Sequence, residues 1–184
     1  MILVTGGIGS GKSVVSNILR ACGHEVYDCD SEARRLMDSD AGIKCRIAAE
    51  LSLEVVDAGG RIDRRRLSEL VFSDSEKLAA LNAIVHGAVR ADLRRRIDMN
   101  HDLFVETAIP LSGGLVEMAD KVWQVYAPEE LRIRRVMLRN AVCADDVRAR
   151  IEAQRAESVP GAELIVNDGV SPVLPRILEL LGRI

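Results

Sequence analysis

Residues 6–13 read Gly6-Gly7-Ile8-Gly9-Ser10-Gly11-Lys12-Ser13, and they begin two residues after the apolar run Ile2-Leu3-Val4. The spacing fits the pattern G-x-x-x-x-G-K-[S/T], whose four glycines here let successive backbone N–H groups turn inward on one phosphate. A helix starting near Ser13 adds its positive end to the same anion. Lys12 then reaches the β- and γ-phosphates, and the Ser13 hydroxyl is offered to Mg²⁺. The context supplies what the pattern requires: a strand signal before it and the amphipathic run Val14, Val15, Ile18, Leu19 after it. A strand feeding such a loop and helix commits the chain to an α/β sheet that holds a nucleoside triphosphate.

The remaining bounds narrow the partners. At 184 residues, 48% hydrophobic and 29% charged, the chain suits one sizeable core with an elaboration. A net charge of −3 gives no global attraction to nucleic acid or a membrane surface, so a polyanion site has to be local and built from clustered Arg. Aromatic residues at 3% leave no stacking platform for single strands, and no apolar run approaches the roughly 18 residues of a membrane span. Cys22, Cys29, Cys45 and Cys143 show neither C-x-x-C spacing nor a paired His, and no signal peptide is expected ahead of the first strand. Buried or incidental thiols in a reduced cytoplasm follow.

Five short runs read as strands of a parallel sheet covered on both faces: Ile2 to Val4, His24 to Tyr27, Leu103 to Val105, Lys121 to Tyr126, and Leu164 to Val166. The first two are joined by a helix from about Ser13 to Ala21. The long gap before the third holds Glu32 to Met37, Gly42 to Leu51, Asp63 to Phe72, and Asp74 to Asn100. Each has apolar residues three or four apart, which reads as a helical insertion suited to cover a second substrate. After the fourth strand, Ala127-Pro128-Glu129-Glu130 opens a helix to about Asn140, and Asp145 to Glu157 follows as another. These two carry Arg132, Arg134, Arg135, Arg139, Arg148, Arg150 and Arg155. Most suit a solvated face, but a phosphoryl-transfer enzyme needs one or two on the migrating group.

Asp28 and Asp30 lie just past the second strand, whose end is expected beside the loop because one strand–loop–helix–strand unit joins them. A carboxylate there accepts a proton from an attacking hydroxyl or holds Mg²⁺ through water, while Asp30 or Ser31 equally suits the cap of the next helix. Glu106 ends the third strand, a place for an acid near the metal. Asp57-Ala58-Gly59-Gly60 fits a D-x-x-G switch and Leu111-Ser112-Gly113-Gly114 a transporter signature, but neither has its companion motifs and turn chemistry explains both. His86 shares a helical offset with Asn82.

Together these residues resemble the dephospho-coenzyme A kinase family over nearly the whole chain. The likeness rests on Thr5 to Ser13, on Asp28-Cys29-Asp30 with Ala33-Arg34, on Ile62-Asp63-Arg64 leading to Leu67 and Val71-Phe72, and on Leu81-Asn82 with Ile84 and His86. Ala127 to Glu130, Arg139-Asn140, Arg150-Ile151 with Gln154, and Asn167-Asp168-Gly169 extend it. The resemblance implies a phosphate-loop kinase moving the γ-phosphoryl of MgATP to the ribose 3′-hydroxyl of dephospho-CoA. It implies that Gly7, Ile8, Gly9, Ser10, Gly11, Lys12, Ser13 and Val14 bind the nucleotide, with Asn167 near the adenine. Asp28 is then the base, Arg139 a lid residue, and Asp30, Arg34 and His86 acceptor contacts. The chain departs from the family pattern at Val14 after Ser13, at Gly87 after His86, and at Ser112, where a glutamate is usual.

The expected organisation is a nucleotide-binding core from 1–30, 101–127 and 158–184, a helical acceptor domain over 31–100, and a lid over 128–157. The sheet is expected to have five parallel strands flanked by helices. Monomer and small homo-oligomer are both compatible with it. A kinase for another small hydroxyl metabolite, or a nucleotide-binding regulator with weak turnover, would share the loop.

Overall fold

The computed structural model describes residues 1–57, 59–100, 102–154 and 157–183. Its first strand, β1 (Ile2–Thr5), buries all of its side chains, as a strand covered on both faces must. Among the described residues β2 (Val26–Asp28), β3 (Phe104–Glu106), β4 (Lys121–Tyr126) and β5 (Glu163–Val166) join it in one sheet. Every pairing is parallel, in the order β2-β3-β1-β4-β5. The five apolar runs are therefore the five strands, with β2 starting two residues later than its run and taking in Asp28. The connection leaving β1 runs toward β2 and the one leaving β3 runs toward β4. They depart to opposite sides, which opens a crevice beyond the carboxyl ends of these two strands.

Eight α-helices accompany the sheet among the described residues: α1 (Lys12–Ala21), α2 (Cys29–Ser39), α3 (Ala41–Glu50), α4 (Arg64–Phe72), α5 (Ser75–Met99), α6 (Glu129–Asn140), α7 (Ala144–Ala153) and α8 (Val173–Leu181). The chain divides into one unit of Met1–Asp28 with Ile97–Ile184 and another of Cys29–Arg96. In the first, Ile2, Val4, Phe104, Trp123, Val125 and Ile165 of the sheet meet Val15 and Leu19 of α1 and Ile177 and Leu180 of α8. The Phe104 and Trp123 rings lie 5.3 Å apart and tilted, a favoured aromatic arrangement. A second cluster joins α6 to α7 through Ile133, Val136, Val147 and Ile151, with Ile8 packed against it. Helix α7 stops at Ala153, short of the expected Glu157. Arg155 lies outside the described residues, as does Ala58.

The Cys29–Arg96 unit is helical. Asp40 caps α3 by accepting from the Ile43 N–H, and Asp63 caps α4 by accepting from those of Arg65 and Arg66. Leu36, Ile43, Ile47, Val55, Leu67 and Ile84 are buried. Asp92, 8% exposed, pairs with Arg35 at 3.2 Å and Arg95 at 2.9 Å, so its charge is compensated. Helix α2 begins at Cys29, so Asp30 and Ser31 sit inside its first turn instead of capping it. The two glycine-pair motifs are turns: Asp57 Oδ1 accepts from the N–H groups of Gly59 and Arg61, and Gly114 N–H donates to the Leu111 carbonyl.

Candidate active site

The loop that leaves β1 is shaped by what surrounds it. Gly9 (φ 77°) and Gly11 (φ 100°) adopt the left-handed region, where an L side chain is strained. A Cβ on Gly11 would lie 1.9 Å from Asn167 Nδ2, and one on Gly9 would lie 2.7 Å from the Arg132 carbonyl oxygen. Lys12 Nζ reaches back and donates to the Gly6 carbonyl at 2.8 Å. Among the described residues, the N–H groups of Gly9, Gly11 and Ser13 and the Ser13 hydroxyl make no hydrogen bond. Donors left open at the positive end of α1 fit the oxygens of a polyphosphate, and the open Ser13 hydroxyl fits a hard cation.

Two carboxylates stand in a row beside this loop. Val4 of β1 is in register with Glu106 of β3, and Glu106 with Asp28 of β2. In-register residues of parallel neighbours project to one face, and Glu106 accepts a 2.5 Å hydrogen bond from Ser16 Oγ on the buried side of α1. Asp28 is half-buried at the end of its strand. β3 intervenes between β1 and β2, so the acid in the strand next to the loop strand is Glu106. Asp28 stands one strand further, about 5 Å along the sheet from it.

Helix α6 supplies cations to the same loop. Arg132 Nε donates to the Ile8 carbonyl at 2.8 Å, and burial holds its guanidinium pKa below the ordinary arginine value against the attraction of Glu129. Arg135 lies 3.4 Å from the carbonyls of Gly9 and Ser10 and 3.3 Å from Asn167 Oδ1. Asn167 Nδ2 in turn donates to Ser10 O at 2.9 Å, so Asn167 braces the loop backbone. Arg139, one turn beyond Arg135, is exposed and donates to Asn140. From the end of α7, Gln154 Oε1 accepts from the Ile8 N–H at 2.7 Å. Past it, Glu157 accepts from the backbone N–H groups of Leu111 and Ser112. A cleft of about 180 Å³ opens here, lined by Gly6, Gly7, Ala108, Gln124, Arg132 and Gln154 among others.

The Met1–Asp28 and Ile97–Ile184 unit thus gathers the loop from Gly7 to Val14, Asp28, Glu106, Arg135 and Asn167. Asp30, Arg34 and His86 belong to the Cys29–Arg96 unit, with Asp30 and Arg34 exposed and His86 half-buried on α5. Sequence reasoning passed over the contacts of Ser16, Arg132 and Gln154. Ser16 carried a signal, being a polar residue one position along from Val15 on the inward side of an amphipathic helix. Arg132 was one basic residue among seven, and Gln154 stood only in the family-like run Arg150-Ile151 with Gln154, which gave it no role.

The dephospho-CoA kinase family model matches residues 1–171 of this chain. A dephospho-CoA kinase of Bacteroides fragilis is 33% identical over 185 residues, spanning 97% of this chain and 90% of the relative. A solved structure from Thermus thermophilus superposes with a TM-score of 0.81 at 34% identity, covering 99% of this chain and 95% of the other. Dephospho-CoA kinase from Campylobacter jejuni shares the fold, with a TM-score of 0.70 at 24% identity over 99% and 95% of the two chains.

Proposed function

This chain belongs to the dephospho-CoA kinase family, and from that membership we propose that it phosphorylates the ribose 3′-hydroxyl of dephospho-CoA with ATP, giving CoA and ADP. The observation that carries the donor half is the loop at the sheet's crevice, with its open N–H donors and with Glu106 and Asp28 in register beside it. Lys12 holds the β- and γ-phosphates, and its charge offsets that which spreads onto the transferred group. Ser13 would hold Mg²⁺, which would neutralise phosphate charge. Asp28 accepts the proton of the attacking hydroxyl, and Glu106, fixed by Ser16, would be a second carboxylate available to the metal. Val14 completes the loop's contact with the nucleotide, and Asn167 shapes its base side.

Within the same reading, Asp30, Arg34 and His86 bind the acceptor, residues 31–100 form its domain, and residues 128–157 are a lid whose Arg135 and Arg139 meet the phosphates. Lid closure excludes water and limits wasteful hydrolysis. A cytoplasmic location suits four cysteines of which none forms a disulfide; among the described residues no helix is long and apolar enough to cross a membrane. The test supplies MgATP with dephospho-CoA and, separately, with other hydroxyl metabolites. CoA as the favoured product supports the reading, and faster phosphorylation of another acceptor defeats it.

A further inference from the structure

Ile8 is held through its N–H, its carbonyl and its side chain by the segment that follows β4. Its N–H donates to Gln154 Oε1 at 2.7 Å, its carbonyl accepts from Arg132 Nε at 2.8 Å, and its side chain packs against the α6–α7 apolar cluster. The next two carbonyls, of Gly9 and Ser10, are taken by Arg135 and Asn167. The loop backbone is therefore gripped from outside through Ile8 and these carbonyls, while the N–H groups of Gly9, Gly11 and Ser13 find no partner among the described residues. A glycine-rich segment has many backbone conformations to lose, and these external contacts add to the internal ones, Ser10 N–H to the Gly7 carbonyl and Lys12 Nζ to the Gly6 carbonyl, in selecting the one that presents those donors together.

We propose that Gln154 is a positioning residue for the nucleotide site: by accepting the Ile8 N–H it fixes the loop in its phosphate-binding conformation and ties that conformation to α7. The inference rests on the kinase reading above. Gln suits the task because its amide oxygen is a neutral acceptor, which adds no negative charge beside a site for polyanions. Gln154 touches the loop backbone and not the reacting atoms, so its loss weakens ATP binding selectively.

The test uses the full chain and two variants. Gln154→Met keeps the bulk and removes the acceptor; Gln154→Glu keeps an acceptor oxygen. Amide hydrogen exchange at Ile8, read by NMR, should accelerate about tenfold in Gln154→Met and stay near wild type in Gln154→Glu, the scale of losing one backbone hydrogen bond. In Gln154→Met the KM for ATP should rise about five- to tenfold while that for dephospho-CoA stays within about twofold. Unchanged exchange at Ile8 in Gln154→Met, or equal rises in both KM values, would overturn the proposal. ATP affinity measured by calorimetry without acceptor keeps the two ideas separable. A wild-type protein that binds ATP but makes no CoA defeats the kinase reading, and the exchange and affinity of the variants still decide the clamp.

Discussion

Gly11 has no room for a side chain, since its Cβ would stand 1.9 Å from the buried Asn167 amide and its φ is 100°. Gly11→Ala should destabilise the fold by about 1–3 kcal/mol and abolish ATP binding, measured by thermal melting and calorimetry. Asp28→Asn should leave ATP affinity within a few-fold and lower kcat by about 10²–10⁴-fold, the usual range for a lost general base; wild-type turnover would remove Asp28 from that role. Asp168, past the end of β5, is held below the ordinary carboxyl value of 3.8 by the backbone N–H groups of Ser171 and Val170. A carboxyl whose folded pKa is depressed stabilises fully above the unfolded value and loses that contribution as pH falls through the folded one. Asp168→Asn should accordingly lower the melting temperature at pH 7, with the gap closing as pH drops below 3.8. At this scale the loop and the strand-end acids were legible because their chemistry is written in short local patterns. The contacts of Arg132 and Gln154 were not, although Gln154 stood in the family resemblance, because each acts on Ile8 from more than 120 residues away.

Helix α8 shows what an element needs and what hides it. Ile177 is fully buried against the sheet while Leu178 beside it is 50% exposed, so Ile177→Ala should cost about 2–5 kcal/mol and Leu178→Ala about 0.5 kcal/mol or less, compared by urea unfolding. Its sequence between Ser171 and Arg176 carries Pro172 and Pro175, which look like breakers although a proline in a first turn is tolerated. The strands were read correctly because buried parallel strands are short apolar runs bounded by turn residues. Their order is not legible in the sequence, since nothing local distinguishes the run that pairs with β1 from the one that does not, and β3 lies about a hundred residues away. That order is what sets Glu106 between the loop strand and Asp28.

For the molecule as a whole, nucleotide binding in the proposed function belongs to one unit, Met1–Asp28 with Ile97–Ile184. ATP at a hundred times its Kd should stabilise the folded protein by about 2.7 kcal/mol, seen as a rise in melting temperature that the Gly11→Ala variant lacks. Identity of the acceptor is tested by incubating the protein with MgATP and dephospho-CoA and quantifying CoA and ADP together. One CoA should form for each ADP, with ATP hydrolysis far slower when dephospho-CoA is omitted. ADP release without CoA, or no turnover with ATP bound, would contradict it.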